Sequence, residues 1–222
     1  MAFPFTHLCV AYRILETRPL PEADAAQFLL GSIAPDAIHY RPAFQGAEMT
    51  NIGAVKKITH LCPVSNERWG AVTDNKGWVN CVKTFLSNNP KDPLAAGYAV
   101  HILTDIQNNR TLWQNFRESY PEEAAKGYAS GYYDDLKNID ARLYKQLPEA
   151  SNIMKLLTKA APINLPGLVT AEEIQAIQNN ILHEHFQNLT FDPTYQYTYV
   201  TYDNMLTFIQ DAADFARKKA SI

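Results

Sequence analysis

Cysteine is scarce in this 222-residue sequence: Cys9, Cys62 and Cys81 are an odd number with no CxxC spacing. A disulfide framework and a thiolate zinc site both lose their usual signal, and free thiols in a reducing compartment are expected. A strong excess of charge of either sign is also lacking, with a net value of -3. No general basic surface exists to gather duplex DNA or anionic lipid, so no stable nucleic-acid partner is predicted. The aromatic residues are not interleaved with lysine and arginine as in a single-strand platform. No apolar run approaches the roughly 20 residues that span a bilayer. The start, MAFPFTHLCVAYRIL, has no basic leading region, and Pro4, Thr6 and His7 interrupt its apolar stretch. A cleaved leader is therefore not expected, and a cytoplasmic location is. GxSxG, Walker and GxGxxG motifs are missing. Cys62 lies near His60 but has no third group to orient a nucleophile–base pair.

What is present is helical periodicity almost throughout. Leu8, Ala11, Tyr12 and Leu15 form the stripe of a first helix that Thr6 can cap. PEADAAQFLLGSI forms a second, running out at Pro35, and NIGAVKKITHL a third, closed by Pro63. NERWGAVTDNKGWVNCVKTFLSNN reads as the next. DPLAAGYAVHILTDIQNNRTLWQNF opens on Asp92-Pro93, a favourable first turn. PEEAAKGYASGYYDDLKNIDARLYKQL follows, then AEEIQAIQNNILHEHFQNL with Thr170 as cap, and DNMLTFIQDAADFARKKA with its lysines at the helix C-terminus. YQYTYVTY alone looks strand-like, and a single segment cannot make a sheet, so it reads as an extended connector with aromatic anchors. With no repeat and no long linker, the expectation is one all-α multi-helix bundle over residues 1–222.

Several polar residues do not suit a bland core. Gly97, His101 and Asp105 stack on one stripe of a helix that looks buried on nearly all sides. An isolated carboxylate there is costly, and either a His–Asp hydrogen bond or a divalent ion removes the cost. On the metal reading, Gly97 leaves room for ion or substrate. In GSIAPDAIH, Pro35 sets the backbone ahead of Asp36, which serves equally as a ligand or as an N-cap; His39 reads as a surface histidine. His7 and His60 fall near helix ends, where each alone reads as an ordinary boundary histidine, while Lys56 and Lys57 read as solvated. Together His7, Asp36, His60, His101 and Asp105 form the borderline donor set of zinc, with manganese, iron or nickel also compatible. His183 and His185 point about 200° apart on a helix, so both cannot share a face. Asp134, Asp135 and Asp140 read mainly as a solvated face, with Asp135 the one able to turn inward.

The ordered set His7, GSIAPDAIH, KKITH and GYAVHILTD resembles the zinc-dependent phospholipase C family, a superfamily shared with the fungal single-strand nucleases. The resemblance covers residues 5 to 109. It implies an all-α bundle of the phospholipase C and nuclease type, with His7, Asp36, His60, His101 and Asp105 as metal ligands and Asp105 bridging two ions. Two features depart from secreted members of that family. Met1, with no cleavable leader, cannot supply a processed N-terminal tryptophan. The histidine that follows the HxxxD pair and the later HxxxE helix are also lacking, so one or two zinc ions are expected rather than three. The implied activity is metal-dependent phosphodiester hydrolysis of a small phosphoester or a phospholipid head group. Asp36 would orient or deprotonate the attacking water. Tyr98, Trp113, Tyr132 and Tyr133 are candidate substrate walls. Two rivals are a helical binding protein with a structural or vestigial ion, and an HD-type phosphohydrolase, although no histidine here is followed by aspartate.

Overall fold

The computed structural model describes residues 3–41, 55–63 and 72–220. Among the described residues there are helices and no strand; Leu165 and Val169 form one isolated bridge. The long helices are α1 (Pro4–Thr17), α2 (Glu22–Gly31), α3 (Asn75–Asn88), α4 (Pro93–Arg110) and α5 (Leu112–Ser119). After the short α6 (Pro121–Ala125) come α7 (Gly131–Gln146), α8 (Ala150–Lys159), α9 (Ala171–Asn180) and the closing α10 (Tyr202–Ala220). A 3-10 segment, Ala34–Tyr40, follows α2, and residues 55–59 form a further helical turn.

Helix α4 is the centre. It is buried around most of its circumference, and Leu94, Ala95, Tyr98, Ala99, Val100, Ile102, Leu103 and Ile106 are fully enclosed. Helices α1, α2, α3 and α10 pack around it. Asp92 caps it by accepting from the Leu94 and Ala95 amides, as the Asp-Pro start predicts. Thr170 and Glu173 likewise form a reciprocal capping box on α9.

The closest approach in the bundle is between α2 and α4. A Cβ on Gly31 would lie 2.1 Å from the Leu94 carbonyl, and one on Gly97 would lie 1.9 Å from the Phe28 carbonyl. Gly97 therefore makes room for a neighbouring backbone, not for an ion or substrate. That corrects the sequence expectation.

Other element boundaries also differ from expectation. Thr6 does not cap α1, which starts two residues earlier at Pro4. Asp140 of α7 does that work instead, accepting from the Phe5 and Thr6 amides and from the Thr6 hydroxyl. Helix α3 begins at Asn75, with the Asp74 carboxylate accepting from the Gly77 amide; the earlier residues 66–71 lie outside the described residues. The helix through α4 breaks at Thr111, whose hydroxyl turns back to the Gln107 carbonyl at 2.7 Å. The segment after Pro121 is broken at Gly127, which adopts a φ of 58° that suits glycine. Helix α8 was not anticipated at all; it buries Ile153 and Leu157 against the core and packs on α2 and α7.

Asp140→Ala should cost about 1–3 kcal/mol, because two buried amides at the start of α1 lose their acceptor. Denaturant unfolding against wild type measures it, with Asp140→Asn, which keeps one acceptor oxygen, expected to lose less.

Candidate metal centre

Four separate segments bring their polar side chains to one place beside α4. Helix α1 supplies His7, the 3-10 segment supplies Asp36, the turn at 55–59 ends in His60, and α4 supplies His101 and Asp105. The three histidines are at most 1% exposed and Asp105 is 3% exposed, which is deep for so much polarity.

Two of the three imidazoles are held from behind. His101 Nδ1 bonds the Ser32 carbonyl at 2.8 Å, and His60 Nδ1 bonds the Lys56 carbonyl at 3.0 Å. A carbonyl can only accept, so both Nδ1 atoms carry the proton and both Nε2 lone pairs face inward. Those two Nε2 atoms lie 3.3 Å apart. Two lone pairs so close repel unless a cation stands between them. His60 is fixed further by its own backbone: its carbonyl accepts from Trp78 Nε1 at 2.7 Å, and Leu61 turns the chain with a φ of 50°. The Tyr98 hydroxyl, donating to the Thr59 carbonyl, ties this turn to α4.

The carboxylates complete the cluster. Asp36 approaches His60 Nε2 at 3.5 Å through Oδ1 and His101 Nε2 at 3.9 Å through Oδ2. Asp105 Oδ2 lies 3.8 Å from both of those nitrogens, and its Oδ1 lies 3.6 Å from His7 Nε2. Ligands at about 2.0–2.2 Å from a tetrahedral ion stand roughly 3.3–3.6 Å from one another. The observed separations are at, or a few tenths of an ångström beyond, that range. His7 stacks on His101 with ring centroids 3.7 Å apart, and neither of its ring nitrogens has a hydrogen-bond partner. A buried imidazole left so costs about 1–3 kcal/mol, which a bound ion offsets. Among the described residues, two donor groups able to hold an ion emerge, His7–His101–Asp105 and Asp36–His60–His101.

The electrostatics favour ligand-ready states. Burial lowers His7 to about 3, and burial lowers His60 to about 4 against the pull of Asp36. Burial acts to raise both carboxyls, but Lys56 and hydrogen bonds to His39 and His60 hold Asp36 well below the usual range. His101 and His7 hold Asp105 below it. His7 and His60 are thus neutral when folded. Their stabilising contribution is complete above the unfolded value of 6.5 and is lost as pH falls towards 4 and 3. Burial pushes Asp140 the other way, up to about 7, so that group adds stability as pH falls between 7 and 3.8. Metal-free protein should therefore lose stability as pH falls from 6 to 4.5. Asp140→Ala should lose it more steeply, as read from urea midpoints across that range.

Other expectations fare variously. Lys56 is not solvated: it is 4% exposed, with Nζ 2.9 Å from Asp36 Oδ1 and 3.1 Å from His39 Nε2. Asp36 caps no helix. His39 is at the surface, its side chain 42% exposed, yet it reaches this pair. Asp135 does turn inward, but away from the cluster. It accepts from the Thr198, Tyr199 and Val200 amides and the Tyr195 hydroxyl, and so holds the YQYTYVTY connector in place. Asp134 is exposed, as are His183 and Glu184.

A cavity of about 250 Å³ opens on Asp36 and His39, walled by Phe3, Tyr40, Tyr128 and Tyr133. Of the four aromatic residues expected to face substrate, only Tyr133 lines it; Tyr98, Trp113 and Tyr132 are buried core residues. His185 also lines it, carried there by a π-helical turn at Ile181–His185, a local widening that periodicity does not announce. No protein-family model, curated protein or solved structure matches this chain.

Proposed function

We propose that the chain is a metal-dependent phosphoesterase of the phospholipase C type, acting on a phosphodiester in a small molecule or lipid head group. The observation that carries this reading is the pair of inward Nε2 atoms of His60 and His101, 3.3 Å apart, with carboxylate oxygens of Asp36 and Asp105 within 4 Å of both. His101 would hold a zinc-like ion together with Asp36 and His60, or together with His7 and Asp105. Such an ion, when bound, is a Lewis acid for phosphoryl oxygens and lowers the pKa of a bound water towards about 7.

The residues themselves do the rest. Asp36, kept ionised by Lys56, is a poor proton acceptor at neutral pH and a good group for orienting a water and a cation. The aromatic walls exclude solvent on the pocket side, and His39 and His185 offer polar contacts there. No protein nucleophile is needed. Among the described residues no helix is long and apolar enough to cross a membrane, in keeping with a cytoplasmic enzyme.

A second reading, a helical binding protein with a structural ion, draws on the depth of the histidines. The cavity at Asp36 favours the enzyme, since structural sites are closed and catalytic sites keep an open side. Purified protein is expected to contain about one to two equivalents of zinc or a similar ion. It should hydrolyse bis-p-nitrophenyl phosphate, lose activity to a chelator and regain it with zinc. Stoichiometric metal without turnover on a panel of phosphodiesters and monoesters would establish the binding protein instead.

A further inference from the structure

We propose that Lys56 is a built-in second cation of this centre: its ammonium stands beside Asp36 in place of a second divalent ion and meets the phosphoryl oxyanion of a substrate. The proposal rests on the metal-centre reading above and specifies how many ions that centre takes.

Two observations carry it. First, the two donor groups are not independent, because both require His101. Its Nδ1 is already spent on the Ser32 carbonyl, so one inward lone pair remains, and one lone pair serves one ion. Second, Asp36 is divided between partners. Its Oδ2 faces His101, while Oδ1, 3.5 Å from His60 Nε2, carries the Lys56 ammonium at 2.9 Å. A further ion on that oxygen would collide with an ammonium buried to 4% exposure, where solvent screens little of the repulsion.

Access is provided from the cavity. Two side-chain partners of Nζ, Asp36 and His39, line its wall, and His39 is the exposed one. An oxyanion arriving along that wall takes the place of the His39 nitrogen on Nζ, giving the ammonium a charged acceptor for a weaker neutral one.

The test uses full-length wild type and Lys56→Met, each saturated with zinc and desalted. Metal per chain is read by plasma emission and inorganic phosphate affinity by calorimetry. Wild type is expected to hold one zinc. Lys56→Met should keep that zinc while its phosphate affinity falls about tenfold or more, and Lys56→Arg should retain most of the affinity. Two zinc ions in wild type would overturn the proposal, as would unchanged phosphate affinity in zinc-loaded Lys56→Met; either leaves the metal centre itself standing. Wild type with no zinc would overturn both. The wild-type count needs no variant, so a folding failure of Lys56→Met does not shelter the idea.

Discussion

Asp105→Asn is expected to weaken zinc binding by more than about a hundredfold while leaving the chain folded. Asp105 contacts all three imidazoles, His7 through Oδ1 and His60 and His101 through Oδ2. Loss of a group that merely supports a ligand typically costs ten- to a hundredfold in affinity, and here a charged ligand itself goes. The amide that replaces it is nearly the same size and can donate to an inward imidazole nitrogen, so the metal-free fold keeps its packing and gains a hydrogen bond. Zinc content after desalting should fall sharply, and the rise in melting temperature that zinc gives wild type by preferential binding should disappear. Phosphodiester hydrolysis should fall in parallel. If Asp105→Asn retains zinc at wild-type affinity, the ligand assignment is wrong.

The five residues of the cluster were legible because each broke a local pattern. His101 and Asp105 lie on a stripe of α4 where periodicity demands apolar side chains. His7 and His60 sit at helix ends among residues that are otherwise enclosed, and Pro35 marks the backbone that delivers Asp36. Lys56 was not legible, since a lysine in KKITH has the look of a solvated helix face. Its burial comes from the 3-10 segment twenty positions away, which supplies both Asp36 and His39 as partners. The start of α1 was misread for a similar reason. Thr6 is a sound local cap, but a carboxylate 134 positions further on accepts from the Thr6 amide itself, and helical order then begins at Pro4. The π-helical turn that brings His185 to the cavity arises from packing and leaves no compositional mark. Local signals thus announced which residues would be costly to bury; which groups they would meet depended on contacts between distant segments.

Gly97→Ala should be among the most damaging single-methyl changes at the described residues outside the cluster. The added Cβ would lie 1.9 Å from the Phe28 carbonyl oxygen and 3.1 Å from Gly31 Cα, and both obstacles are backbone. No rotamer change relieves such a clash, so α2 and α4 must separate. Overpacking in a core ordinarily costs about 1–3 kcal/mol, and this contact belongs at or above the upper end of that range. The damage does not stop at stability. Just beyond this crossing, the Ser32 carbonyl holds His101 Nδ1 at 2.8 Å, and that bond keeps the His101 lone pair aimed at the cluster. Separating the helices by even half an ångström stretches it, so zinc affinity should fall together with the melting temperature although position 97 carries no ligand. Gly127→Ala supplies the contrast: nothing lies within 4 Å of its Cβ, and the cost there is only that of a φ of 58° in a non-glycine residue, about 1 kcal/mol, with zinc affinity unchanged. Thermal unfolding and zinc calorimetry on the two variants separate the effects. A Gly97→Ala protein with normal stability would mean that α2 and α4 do not cross in backbone contact, and the placement of His101 would lose its support.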